Sequence, residues 1–145
     1  MTKRNAYLDL MEKHRKELNE FPIAYAFNEQ QLEEALLKLG AKKEEVVSLA
    51  GHGDILKRTD VEAFKDMFKR QKKELAEAMV DKEFAEAAFR YEMDNHEYAI
   101  NWSGDEDVLS CFGYSFDDLR DLGLMDAYRR ARDAHMKYME DLDVI

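Results

Sequence analysis

One cysteine in the whole chain, Cys111, leaves that residue nothing to pair with. An intramolecular disulfide framework is excluded, and a lone thiol fits a reducing compartment. One proline, Pro22, is the only rigid backbone stop. It lacks an N–H and turns Phe21 away from helix. No apolar run approaches the roughly 18 residues of a membrane span. The stretch MTKRNAYLDLMEKHRKEL carries acids where a secretion signal has its apolar core. These absences predict a cytoplasmic protein with no membrane association. Chemistry-bearing motifs are scarce as well. An EF-hand loop is missing, and His96-Glu97 is followed by Tyr98-Ala99-Ile100 rather than by the rest of an HExxH helix. Gly51-His52-Gly53 lacks the third glycine and the βαβ setting of a phosphate loop, so it reads as a turn.

What the chain does have is apolar mass and acid. Its 145 residues are 46% hydrophobic. Such a chain buries about 70% of its unfolded surface and needs no metal staple. Residues 1–145 are expected to form a single domain. The net charge of −10 is unevenly placed. Residues 1–83 hold 16 bases and 17 acids, whereas 84–145 hold 6 bases and 15 acids. The asymmetry concentrates in Glu92–Asp121, which has nine acids and one base, Arg120. The field of that stretch repels nucleic acid and favours a basic partner or a cation. The same stretch carries the only tryptophan, Trp102, together with Tyr98, Phe112, Tyr114 and Phe116.

In chain order, Tyr7, Leu10, Met11, His14 and Leu18 mark one face of a first amphipathic helix, with His14 as a packing residue. Ile23–Phe27 alternates like a short strand. Asn28 and Gln31 form a capping box for a second helix ended by Gly40. Glu44–Leu49 suits a short helix, and Asp54–Leu56 a strand or an extended lead-in. Thr59–Glu62 caps a helix whose face is Phe64, Met67, Phe68 and Leu75, suited to internal burial or to self-association. Asp81 suits the cap of a further helix, the alternative being that the previous one simply continues, and this helix ends near Asn95. Tyr98–Ile100 reads as a second strand. Short helices follow at Ser103–Phe112 and from Ser115, and a last one runs over Leu124–Glu140. It buries Leu124, Tyr128, Ala131, His135 and Tyr138 by spacing.

Two stretches match at a constant offset of 73 residues. Tyr25-Ala26-Phe27-Asn28, Leu39-Gly40 and Glu44-Glu45-Val46 correspond to Tyr98-Ala99-Ile100-Asn101, Phe112-Gly113 and Asp117-Asp118-Leu119. The reading is an internal duplication, with copies at about 15–50 and 90–123. The expected fold is mostly α with α+β character. It is a helical domain with a small two-stranded antiparallel sheet, the two copies pairing their strands about a pseudo-twofold axis.

Three classes of chemistry compete. Asp94, His96, Glu97, Asp105, Glu106 and Asp107 are metal-type donors, but their spacing matches no known site, so no metal and no cofactor are expected. Cys111 beside Phe112 reads as an inert buried thiol, and His52 has no nucleophile near it in sequence. No catalytic residues are therefore assigned, and the protein is read as a non-enzyme. The third class is binding of a basic or nucleic-acid-binding protein, without direct nucleic-acid binding. The candidate residues are Asp94, Glu97, Trp102, Asp105, Glu106, Asp107, Tyr114, Asp117, Asp118 and Asp121. Acids steer encounter and aromatic residues anchor it. The bland alternative is an acidic face that only maintains solubility.

PIAYAFNEQQLEEALLKLG and FRYEMDNHEYAINWSGDEDVLSCFG resemble segments of an uncharacterised family of small acidic accessory proteins of phages and mobile elements in Gram-positive bacteria. The resemblance carries no activity residue by residue. It implies a setting in which such proteins antagonise host defence, as small acidic anti-CRISPR proteins do by imitating DNA. The expectation is an inhibitor of a nucleic-acid-binding host protein such as a CRISPR-Cas nuclease. The alternatives are a metal-dependent hydrolase built on His52, His96 and the acids, or a regulatory adaptor on a basic protein.

Overall fold

The computed structural model describes residues 5–49, 51–96, 98 and 104–142. Among them the chain forms seven α-helices and a three-stranded antiparallel sheet, a mostly α fold with α+β character. It divides into two compact units, Lys13–Lys73 and Met1–Glu12 with Glu74–Ile145. No described helix is long and apolar enough to cross a membrane.

The first unit is built on the sheet. Strands β1 (Ile23–Tyr25), β2 (Val46–Val47) and β3 (Asp54–Lys57) lie in the order β1-β3-β2. Ile23 stands opposite Leu56, and Val47 stands opposite the same residue on the other side. This corrects two expectations. The sheet has three strands rather than two, and the strand paired with β1 is β3. Tyr98 lies in a turn, and Ala99 and Ile100 fall outside the described residues. The reason is local. Gly51 and Gly53 adopt φ of 73° and 85° and reverse the chain, so β3 folds back beside β2. Asp54 fixes the reversal by accepting from Ser48 Oγ, Leu49 N and His52 N. A Cβ at Gly53 would lie 2.9 Å from the Ala26 carbonyl oxygen, so only glycine lets β1's continuation approach. The short helix expected over Glu44–Leu49 is a single 3-10 turn, Lys43–Glu45, followed directly by β2.

Helix α2 (Glu29–Leu39) covers this sheet with Ala35 and Leu39, which pack with Ala24 and Ile55. Its start follows the expected box: Asn28 accepts from Gln31 N, and Gln31 accepts from Phe27 N. In the same unit Arg70 pairs with Glu17, Gln71 donates to the His14 carbonyl, and Phe21 meets Phe64 edge-on.

The second unit is helical. Helix α1 (Ala6–Glu20) brings Tyr7 to it, and α3 (Val61–Ala78) brings Leu75. Helix α4 (Lys82–Asn95) is its axis and packs most extensively on α7 (Met125–Asp141). Asp81 caps α4 by accepting from Glu83 N and Phe84 N, so α3 and α4 are separate helices. Ala85, Ala88, Phe89 and Met93 are fully buried on α4. Phe89 meets Phe112 and Tyr128 edge-to-face at 5.1 and 5.2 Å. Helices α5 (Gly104–Ser110) and α6 (Phe116–Asp121) close the unit through Val108, Leu109 and Leu119. Tyr138, expected inside, is half-exposed with the Arg90 guanidinium 5.6 Å above its ring.

Candidate functional site

Both chemical features of the chain lie on the second unit, around α5. Its first residue is Gly104, where a Cβ would come within 2.9 Å of the Tyr98 carbonyl oxygen. Glycine therefore lets α5 start tight against Tyr98. The next residue, Asp105, accepts from Tyr98 OH at 2.6 Å and from Tyr128 OH at 2.5 Å. Burial, then the bond to Asp105, pushes the Tyr98 hydroxyl up to about 12. The Tyr128 hydroxyl is raised for the same reasons. Both tyrosines therefore stay protonated and act as donors.

The acids proposed as a binding face separate into two groups. Asp105 points inward to its tyrosines. Asp118 is the N3 residue of α6 and accepts from Ser115 N at 2.8 Å, while Ser115 accepts from Asp118 N. Asp94 takes His135 Nδ1 at 2.6 Å and Arg90 Nε at 3.3 Å. These three serve the fold. Glu106 is exposed and Asp107 half-buried. Asp117 is 79% exposed and Asp121 70%, and Arg120 lies between them, 3.3 Å from Asp117 and 3.6 Å from Asp121. Glu97 and Trp102 fall outside the described residues. Tyr114 is half-buried and stacks on Phe112 with a 22° interplanar angle. Burial and Asp118 raise its hydroxyl pKa. Beside these acids lies a cleft of about 470 Å³ lined by Leu109, Tyr114 and Phe116, with Asp105 and Glu106 at its wall. Phe116 is 49% exposed there.

The second feature corrects an expectation. Cys111 is not buried. It is exposed, one residue past the end of α5, where the chain turns and sends Phe112 inward instead. Its Sγ lies 3.0 Å from Glu92 Oε2 and 3.3 Å from His96 Nε2. His96 Nε2 is 3.2 Å from the same Glu92 oxygen. Glu92 and His96 are one turn apart at the end of α4, and His96 is the residue that caps it. The other Glu92 oxygen accepts from Tyr7 OH at 3.1 Å. Burial and the Glu92 carboxylate push the thiol up to about 12. Burial and Glu92 likewise raise the Tyr7 hydroxyl. A cysteine nucleophile needs an electropositive setting that favours thiolate. A carboxylate 3.0 Å away supplies the opposite.

Of the described donors considered from sequence, only His96 joins this cluster; Asp94 turns to His135 instead. Glu92 and Cys111 escaped notice because 19 residues separate them. The one available signal was Glu92-x-x-x-His96, an i,i+4 pair on a helix end. His52 belongs to the other unit.

Residues 6–133 match a family of unknown function (DUF7659), and the chain belongs to that family. The comparison with curated proteins finds no match, and neither does that with solved structures.

Proposed function

Membership of that family carries no activity, so from the geometry we propose that this chain is a non-enzymatic binding protein. Its α5–α6 face docks on a basic, nucleic-acid-binding protein, most specifically a host-defence nuclease, and blocks the nucleic-acid channel. The observation that supports this reading is an apolar cleft with an acid in its wall: Leu109, Tyr114 and the half-exposed Phe116 with Glu106 beside them, while Asp117 and Asp121 stand exposed on α6, the helix that Phe116 begins. Protein interfaces place aromatic anchors in a desolvated centre and charge at the rim. Nucleic-acid channels hold their strand chiefly through Lys and Arg on phosphates. Exposed carboxylates fit that lining and accelerate encounter at low salt.

The test uses an RNA-guided nuclease loaded with guide and labelled target DNA, with this protein as competitor. Displacement of DNA is expected, and the apparent affinity should fall as salt rises. Glu106→Lys, Asp117→Lys and Asp121→Lys combined should weaken competition at least about a hundredfold, since close interfacial charge pairs couple by roughly 1.5–7 kcal/mol. Phe116→Ala should weaken it with the salt dependence unchanged. A triple variant that competes like the wild type rejects the mechanism. Binding without DNA displacement replaces it with the adaptor reading.

A further inference from the structure

We propose that Glu92, His96 and Cys111 form a binding site for one zinc-class divalent cation. Three donor atoms of three kinds converge: a carboxylate oxygen, an imidazole nitrogen and a sulfur. They are 3.0, 3.2 and 3.3 Å apart in pairs. Among the described residues no other three such side chains come together in this way. In a tetrahedral zinc site, bonds of about 2.0–2.3 Å place neighbouring donors roughly 3.2–3.6 Å apart. The observed triangle therefore accepts the ion with a retreat of the sulfur by about half an ångström.

Donor chemistry selects the metal. Sulfur and imidazole favour zinc and its borderline neighbours, while calcium and magnesium prefer sites made wholly of oxygen. Charge agrees with this. A thiolate, a carboxylate and a neutral imidazole sum to −2, which one divalent ion balances. On binding, the Cys111 S–H bond breaks, its proton leaves to water, and the sulfur keeps the electron pair that forms the metal bond. To ligate the ion through Nε2, the neutral His96 ring must carry its hydrogen on Nδ1.

The surroundings support the same occupant. Glu92 is buried, and Tyr7, itself buried, donates to the oxygen that faces away from the cluster. Such outer hydrogen bonds orient ligating side chains in metal sites. Phe84, Tyr91 and Phe112 hold the Tyr7 ring with centroids 5.6–6.2 Å away. His96 stands at the C-terminus of α4 and Cys111 just past that of α5. Both helices direct the negative ends of their backbone dipoles there, which favours a cation. Cys111 is exposed and His96 partly so, which leaves the fourth position to water. No ligand lines the α5–α6 cleft, so the two readings are independent.

The experiment titrates chelator-treated full-length protein with cobalt(II) and then displaces it with zinc. One equivalent of cobalt is expected to bind, with a thiolate-to-cobalt charge-transfer band and the visible bands of a tetrahedral ion. One equivalent of zinc should remove both. Cys111→Ser, a surface change, should abolish the charge-transfer band. His96→Ala and Glu92→Gln should each weaken binding more than about tenfold, and Tyr7→Phe roughly tenfold with the band retained. The triple lysine variant of the acidic face should keep the charge-transfer band, because none of its three residues is among the ligands. Circular dichroism checks each variant's fold. If Glu92→Gln unfolds, the partly exposed His96→Ala decides. Absence of the charge-transfer band in the wild type, or a band that His96→Ala leaves unaltered, overturns the site.

Discussion

Helices α2 and α5 end in the same way and lead to different chemistry. Gly40 N donates to Leu37 O and Ala41 N to Leu36 O; 73 residues on, Gly113 N donates to Ser110 O and Tyr114 N to Leu109 O. Gly40 and Gly113 have φ of 63° and 70°. Ala35 and Leu39 are buried under α2, and their counterparts Val108 and Phe112 under α5. The repeated sequence reproduces the helix end down to its hydrogen bonds. It does not reproduce what lies across from it. Helix α2 packs on a sheet, whereas α5 packs on another helix. Lys38 of the first stretch corresponds to Cys111 of the second, which meets Glu92 and His96. Tyr25 is 57% exposed on a strand, while Tyr98 is half-buried and donates to Asp105. Local code sets the turn, and non-local neighbours set the site.

The sharpest way to separate the two regions is through their anchors. Phe112 contacts Tyr7, Phe89 and Tyr114, so Phe112→Ala should cost about 3–5 kcal/mol in urea unfolding. Leu39 belongs to the smaller core cluster, and Leu39→Ala should fall near the lower end of the usual range, about 2 kcal/mol. A larger loss at Leu39 would reverse the ranking of the two cores.

The glycines test the likeness rather than the difference. Nothing lies within 4 Å of a Cβ built at Gly40 or Gly113, so backbone conformation alone sets the cost. Gly40→Ala and Gly113→Ala should each destabilise by about 1–2 kcal/mol, and by similar amounts. Thermal or urea unfolding showing one neutral and one costly substitution would break the equivalence.

The smallest effect separates the tyrosines. Tyr98→Phe removes one bond to a carboxylate and should cost about 1.5 kcal/mol, against roughly zero for the exposed Tyr25→Phe. Double-mutant cycles with Asp105→Asn would assign the loss to that bond. Equal effects at both tyrosines would remove the distinction drawn between them.

Much of the secondary structure was legible because its signals are local. Asn28 and Gln31, Asp81, Ser115 and the stopping glycines each act within four residues. The use made of the acids was not legible. Asp105 looks like a surface charge until Tyr128, 23 residues further on, donates to it. Apolar neighbours suggested that Cys111 is buried, because periodicity assigns a face only while the helix continues, and α5 has ended by then. Strand pairing failed for a related reason. The Tyr25 and Tyr98 segments look alike, but similarity between segments does not imply contact between them. The partner of β1 was the stretch that a glycine turn brought back.

That turn also bears on the order in which the sheet assembles. Asp54 gathers Ser48, Leu49 and His52 from within six residues. The β2–β3 hairpin is therefore closed by short-range bonds, and hairpins of this kind form in about 1–10 μs. Strand β1 reaches β3 only after a loop that contains all of α2 has closed, at a higher entropic cost. The hairpin thus provides the edge onto which β1 is added, together with α2, which follows β1 directly in sequence and packs on both β1 and β3. A carboxylate whose role in the folded unit is to hold a surface loop thereby sets the sequence of events that builds it.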